Sequence, residues 1–247
     1  MTEDDEMLCI HEITVFVRHI YSNYPNFPES VFYKSLLLLH KFFRKVAIRQ
    51  LKHDKCLVGV ACFFLATKLE DCPAKLTDLA MLYHKVVLMR NDLPMKVATD
   101  TQRSQVQAKI SELEGELLRQ IGFDLEIELP SLYFKQFASY PSPDMDKILK
   151  VATRVCCDTF LKPMCIYYHP LQIACACIYF ATLSLKITLP DNEGKPWYKY
   201  LHEGIELKYL QDITEITRGI QKKLEEKKKS IPSKTTPQST TVSPPKV

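Results

Sequence analysis

Glycine is scarce. Only 6 occur in 247 residues, where average usage of roughly 7% would give about 17. No two of them are spaced to form GxGxxG or GxxxxGK[ST], the loops that let backbone N–H groups cradle a phosphate. The chain is therefore not expected to be a nucleotide-using enzyme. Net charge is also small: 33 Lys plus Arg stand against 29 Asp plus Glu, a formal +4, with much of the excess near the C-terminus. A protein that grips nucleic acid by neutralising phosphates carries a stronger, clustered basic surface, so no direct nucleic-acid binding is expected. No run of about 18 uncharged apolar residues exists, and no membrane association is expected. The opening MTEDDEML lacks the basic stretch that begins a signal peptide, which points to an intracellular, soluble protein.

Cysteine is present in an odd number, nine, and lies mostly inside apolar runs, as with Cys56 and Cys62, Cys156 and Cys157, Cys175 and Cys177. A disulfide framework would scatter cysteines among polar loops, so these read as buried thiols in a reducing compartment. No Cys or His cluster has metal-ligand spacing, and neither a metal nor a cofactor is expected. His11, His19, His40, His53, His84, His169 and His202 are dispersed, with no nucleophile or carboxylate at an interpretable spacing. Catalysis is not expected. His40, between Leu39 and Lys41, reads as a packed core histidine.

What the chain does have is helical rhythm. No proline falls between Pro28 and Pro73 or between Pro94 and Pro130, so long helices can run there. Apolar residues at three- and four-residue spacing predict helices over 7–24, 29–48, 54–70, 74–90 and 105–121. Asp54 suits a helix cap, Pro28 with Glu29 and Ser30 opens the second helix, and Gly122 sits where a left-handed residue would end the fifth. The rhythm restarts after GFDLEIELP, with segments at 129–139, 144–161, 170–185, 197–201 and 206–229.

The two halves echo each other. KCLVGVACFFLATKLE and HPLQIACACIYFATLSLK are both apolar on all sides, as a helix surrounded by others must be, and both carry small residues. Gly59, Ala61 and Ala66 in one, and Ala174, Ala176 and Ala181 in the other, let neighbours approach closely. We read an all-α chain with two five-helix repeats, 7–126 and 127–228, each wrapped around its third helix. The last stretch, SIPSKTTPQSTTVSPPKV, has too little apolar surface to offset the entropy of ordering and is expected to be disordered.

LHKFF (39–43), ACFFLATKLED (61–71), PAKLTDL (73–79) and LEGELLRQIGFDLEIELP (113–130) together resemble the cyclin box. In the second half, PLQIACACIYFA, GKPWYKYL and LKYLQDITEI resemble the second fold of transcriptional cyclins of the cyclin T and cyclin K type. The resemblance spans roughly 7–225. It implies two tandem five-helix cyclin-box folds: an N-terminal, kinase-binding box over 1–126, a C-terminal cyclin fold over 127–229 and a tail over 230–247. It also implies a regulatory subunit that docks on the αC helix of a cyclin-dependent kinase and contributes no catalytic group. By position, the family's polar kinase contacts fall on Lys68 and Glu114, and its apolar contacts on Leu65, Leu69, Leu118, Phe123 and Leu125.

HEITVFVRHIYSNY departs from the MRxIL substrate-docking motif of cell-cycle cyclins, and no destruction-box segment precedes it. Both departures point to the transcriptional group, whose kinases phosphorylate the C-terminal repeats of RNA polymerase II in the nucleus; cyclin L, cyclin C and the kinase-activating type stay open. A DNA-binding factor of the transcription factor IIB kind also uses two cyclin folds, but its zinc ribbon and basic groove have no counterpart here. An α-helical solenoid needs at least three similar units and this chain offers two. KKLEEKKK (222–229) fits a charged helix end better than a nuclear targeting signal. Thr236–Pro237 and Ser243–Pro244 are candidate sites for proline-directed kinases.

Overall fold

The computed structural model describes residues 2–192 and 194–230. Among these, ten α-helices succeed one another: α1 (Glu3–Tyr21), α2 (Glu29–Phe43), α3 (Lys55–Leu69), α4 (Leu76–Arg90), α5 (Asp100–Gln120), α6 (Pro130–Phe137), α7 (Met145–Thr159), α8 (Met164–Tyr167), α9 (Pro170–Leu185) and α10 (Leu207–Ser230). Two 3-10 turns, Ile48–Gln50 and Trp197–Lys199, complete the order. The described residues contain no strand, so the chain is all-α; Ser230, expected to open the disordered tail, is instead the last residue of α10, and the rest of that tail, with Thr236 and Ser243, lies outside the described residues.

Capping chemistry explains where several helices begin. Thr2 and Asp5 exchange bonds in a capping box, which starts α1 at Glu3, four residues before the apolar periodicity becomes visible. Thr99 and Gln102 do the same for α5, which begins at Asp100 rather than 105. Asp54 accepts from the Leu57 N–H at 3.0 Å and caps α3 as expected. α2 stops at Phe43, short of the expected 48: the chain leaves the helix there and takes a separate 3-10 turn before α3. The segment 197–201 is also a turn rather than a helix. Trp197 is buried there against Phe137, ring centroids 6.2 Å apart, and packing rather than helical bonding holds it. The four-residue α8, flanked by Pro163 and Pro170, was not expected.

Every residue of α3 from Cys56 to Thr67 is buried, with α1, α2, α4 and α5 around it. α9 is buried from Ile173 to Ile178, with α6, α7, α8 and α10 around it. At the crossing of α1 and α3 a Cβ placed on Gly59 would lie 2.5 Å from Ile13 Cγ2 and 2.9 Å from Val17 Cγ2, so only glycine permits this approach. Burying a Leu, Ile or Phe contributes about 1.5–3 kcal/mol each, and one continuous apolar cluster reaches through both halves.

Polar contacts fasten the halves where α2 meets the second unit. The buried His40 Nε2 bonds the Phe160 carbonyl at 2.5 Å, and the Tyr33 hydroxyl meets Cys157 Sγ at 3.1 Å. His40 is thus the packed core histidine the sequence suggested. The far end of α10 returns to α1, where Lys223 pairs with Asp4 and Lys227 lies 3.8 Å from Glu12. Lys223 and Lys227 of the basic run thus lie against α1, on the last turns of α10. None of the nine cysteines forms a disulfide; six are buried and three half-buried.

Candidate docking face

The last turn of α3 is shaped by Thr67. Its buried hydroxyl donates to the Phe64 carbonyl at 2.7 Å and accepts from the Ala74 N–H at 3.2 Å, tying the helix end to the chain beyond it. Asp71 adopts φ +52° and the Cys72 N–H bonds back to the Thr67 carbonyl, so the backbone turns away sharply. Lys68 is left pointing outward over the Phe64 ring, its Nζ 4.2 Å from the centroid.

From there Lys68 Nζ donates to Glu114 Oε1 on α5 at 2.7 Å. The two residues are 46 apart in sequence, and the packing of α3 on α5 joins them. Lys68 keeps 43% of its side chain exposed and Glu114 keeps 14%. With Lys68 largely in solvent, the pair adds on the order of 1 kcal/mol to the fold, so the lysine can change partners at little cost, while Glu114 is mostly covered. The neighbouring anion just beyond α3, Glu70, is already taken. Burial alone would push the Glu70 carboxyl up, but hydrogen bonds from Lys34 and Ser30 outweigh it and hold it below its ordinary value.

The apolar positions divide into floor and surface. Leu65, one turn before Lys68, is buried within the core, while Leu69, Leu118 and Leu125 are half-buried. Phe123 is 65% exposed. Leu118 lies four residues beyond Glu114 on α5 and so shares its face. Beyond α5 the backbone is left-handed at two successive residues, Gly122 at φ +65° and Phe123 at φ +56°. Glycine accepts this freely; a bulky side chain there costs about 1–2 kcal/mol. Strain that sets an aromatic ring into solvent is characteristic of binding sites.

Lys41 holds this segment. Its ammonium donates to the Asp124 carboxylate at 2.8 Å and to the Asp124 and Glu126 carbonyls, each at 3.1 Å. The hydrogen bond from Lys41 keeps the Asp124 carboxyl below its ordinary value. Neither Lys41 nor Phe64 was singled out from the sequence. Lys41 lies in LHKFF, 83 residues from Asp124, and nothing local signals that it reaches the end of α5.

Two of the histidines serve the ends of helices. His169 Nδ1 caps α9 at the Leu171 N–H, and His19 bonds its own helix at the Val15 carbonyl. Among the described residues no three His, Cys, Asp or Glu side chains group as metal ligands, and no helix is long and apolar enough to cross a membrane. α3 and α5 carry a cation and an anion with half-buried leucines on or next to the same helices, and an exposed phenylalanine follows α5: the mixed apolar and polar character that protein interfaces have.

Comparison with known proteins gives this geometry a context. A family model for the cyclin N-terminal domain matches residues 15–126, and one for the C-terminal domain of cyclin-T2-like proteins matches 148–220. Cyclin-L1-1 of Arabidopsis thaliana is 25% identical over 175 residues, 70% of this chain and 41% of its own length. Cyclin-L1 of Homo sapiens is 25% identical over 158 residues, 63% of this chain and 30% of its own. The chain thus spans less than half the length of these curated relatives. A solved structure of a viral cyclin from herpesvirus saimiri superposes with a TM-score of 0.50 at 12% identity, covering 93% of this chain and 86% of that one, and so shares the fold.

Proposed function

A chain matched over 15–126 by the cyclin N-terminal model and over 148–220 by a cyclin-T2-like model belongs to the cyclin family, and we propose that it is the regulatory subunit of a cyclin-dependent kinase. In this reading residues 1–126 form the kinase-binding box, and the α3–α5 face docks against the kinase αC helix. Kinase activity requires the αC glutamate to pair with the catalytic lysine. A subunit that binds the inward αC position more tightly shifts the kinase toward its active state without supplying a catalytic group. Moving that equilibrium from 1:99 to 99:1 takes about 5.5 kcal/mol of differential affinity, within reach of an interface of ordinary size.

The observation that carries this reading is the Lys68–Glu114 pair, whose lysine faces outward, on the same helices and helix ends as Leu69 and Leu118. Phe123 and Leu125 extend the apolar contact, and Leu65 lies in the core one turn before Lys68. Charged groups at the rim fix orientation and the apolar centre supplies affinity. The kinase we assign is a transcriptional one, acting on the C-terminal repeats of RNA polymerase II in the nucleus to promote elongation. Support for that assignment comes from the second half, which resembles transcriptional cyclins and matches a cyclin-T2-like model, while the curated relatives carry the name cyclin L. Co-purification from nuclear extract with mass spectrometry tests both levels. Wild type should retain a cyclin-dependent kinase and Lys68→Glu should lose it with helical circular dichroism intact; equal retention by both removes the docking face.

A further inference from the structure

A second exposed face lies on α4 and the segment just beyond it. Of the eleven large hydrophobics exposed among the described residues, five fall between 81 and 97: Met81, Met89, Leu93, Met95 and Val97. Such concentration in one segment marks a surface with a partner, where scattered single residues would need no explanation. Met81, Lys85 and Met89 recur every four residues along one side of α4. Met81, Met95 and Val97, the last 89% exposed, line a shallow cleft of about 210 Å³. Methionines adapt their shape to what they meet, which suits a surface that receives a flexible chain.

The charged side chains that line this cleft itself, Lys85, Lys96 and Arg103, are all basic. His84 lines it too, and no carboxylate does. Arg103 is engaged by Asp100 and lies against Met81, its Nη1 3.9 Å from Sδ. Asp78 and Asp100 belong to the adjoining hollow. Lys85 and Lys96 are exposed and form no ion pair among the described residues, so they carry the attraction.

We propose that this face is a docking site for a short acidic peptide segment of another protein, one that seats apolar side chains on Met81, Met95 and Val97 while its carboxylates meet Lys85 and Lys96. A second copy of this chain fits poorly, because a two-fold contact would set the same lysines against each other. The chain's own 231–247 segment contains lysine and no Asp or Glu and lacks the complementary charge. A nucleic acid would find an apolar floor with no Phe, Tyr or Trp ring to stack on. The face goes beyond the kinase reading and does not rest on it. Along α5, Arg103 and Glu114 are separated by about 16 Å, at about 1.5 Å per residue, leaving room for both partners.

The test is fluorescence anisotropy on the full chain with a labelled peptide of leucines and a phenylalanine interspersed among Asp and Glu. Its counterpart with every acid replaced by lysine is the control. The acidic peptide should bind, more weakly as salt rises, and the control should not. Lys85→Glu combined with Lys96→Glu should weaken binding at least about tenfold, and Val97→Glu should weaken it as well. Both substituted lysines are exposed, so circular dichroism should be unchanged; if the double variant fails to fold, Lys85→Ala with Lys96→Ala gives the same reading. No binding of the acidic peptide, equal binding of the control, or undiminished binding to the folded variant overturns the proposal. Loss of kinase co-purification from the lysine variant also overturns it, by making the face part of the kinase interface. A wild type that retains no kinase defeats the kinase reading alone, and the peptide measurement still decides this one.

Discussion

α3 and α9 occupy the same place in their halves and end differently. Ala66-Thr67-Lys68 and Ala181-Thr182-Leu183 stand in register, and in both the threonine hydroxyl bonds back three residues at 2.7 Å, to Phe64 in one and Tyr179 in the other. The helix end is thus built the same way twice. The residue after the threonine is a lysine paired with Glu114 in the first half and Leu183, 42% exposed, in the second. Packing requires neither outcome, because both side chains reach solvent. The core defines the repeat, and one exposed position separates the proposed docking face from a plain helix end.

The register also aligns Gly59 with Ala174, and the largest effect expected inside the fold lies there. A methyl group on Gly59 meets Ile13 and Val17 of α1, so Gly59→Ala should cost about 1–3 kcal/mol by urea denaturation. Ala174→Gly should cost about 1 kcal/mol, mainly through helix propensity. Equal costs would show that the two central helices are packed alike.

The joint between the halves should respond to pH. Burial lowers the His40 pKa, opposed only in part by its hydrogen bond to Phe160. The unfolded chain, titrating near 6.5, then binds more protons than the folded one below that pH, so stability present above about 6.5 is lost as pH falls. Thermal midpoints of wild type should decline from pH 7 to 5, and His40→Gln should flatten that slope. The paired carboxylates Glu12, Glu70 and Asp124 have lowered pKa values and act in a more acid range.

Phe123 separates stability from binding. Phe123→Gly relieves a left-handed side chain and should raise stability by up to about 1 kcal/mol while weakening kinase binding. The smallest effect belongs to Leu183→Lys, which copies the first half's residue into the second. It should change stability by less than about 0.5 kcal/mol and should not restore kinase binding to Lys68→Glu, because no partner for it is built nearby.

Most helices were legible because their apolar faces repeat and their ends carry recognisable residues: Asp54 before α3 and Gly122 after α5 both did what their chemistry suggested. The early starts of α1 and α5 were hidden because capped polar turns carry no apolar period, although Thr99 with Gln102 is a readable capping box. The turn at Trp197 and the short α8 depend on tertiary packing, which no local pattern encodes. Lys68 and Glu114 came from resemblance, and the structure brings them to 2.7 Å. Lys41 and the Phe64 ring needed the fold, since each acts through a contact that only folding creates.

The most direct measurement is the dissociation constant of the co-purified kinase for wild type, Lys68→Glu, Glu114→Lys and the double exchange. Each single change should weaken binding by about 2–4 kcal/mol, and the double exchange should stay weak, because its charges meet a partner surface arranged for the original signs. Wild-type affinity in the double exchange would reduce the pair to an internal ion pair and contradict the docking face.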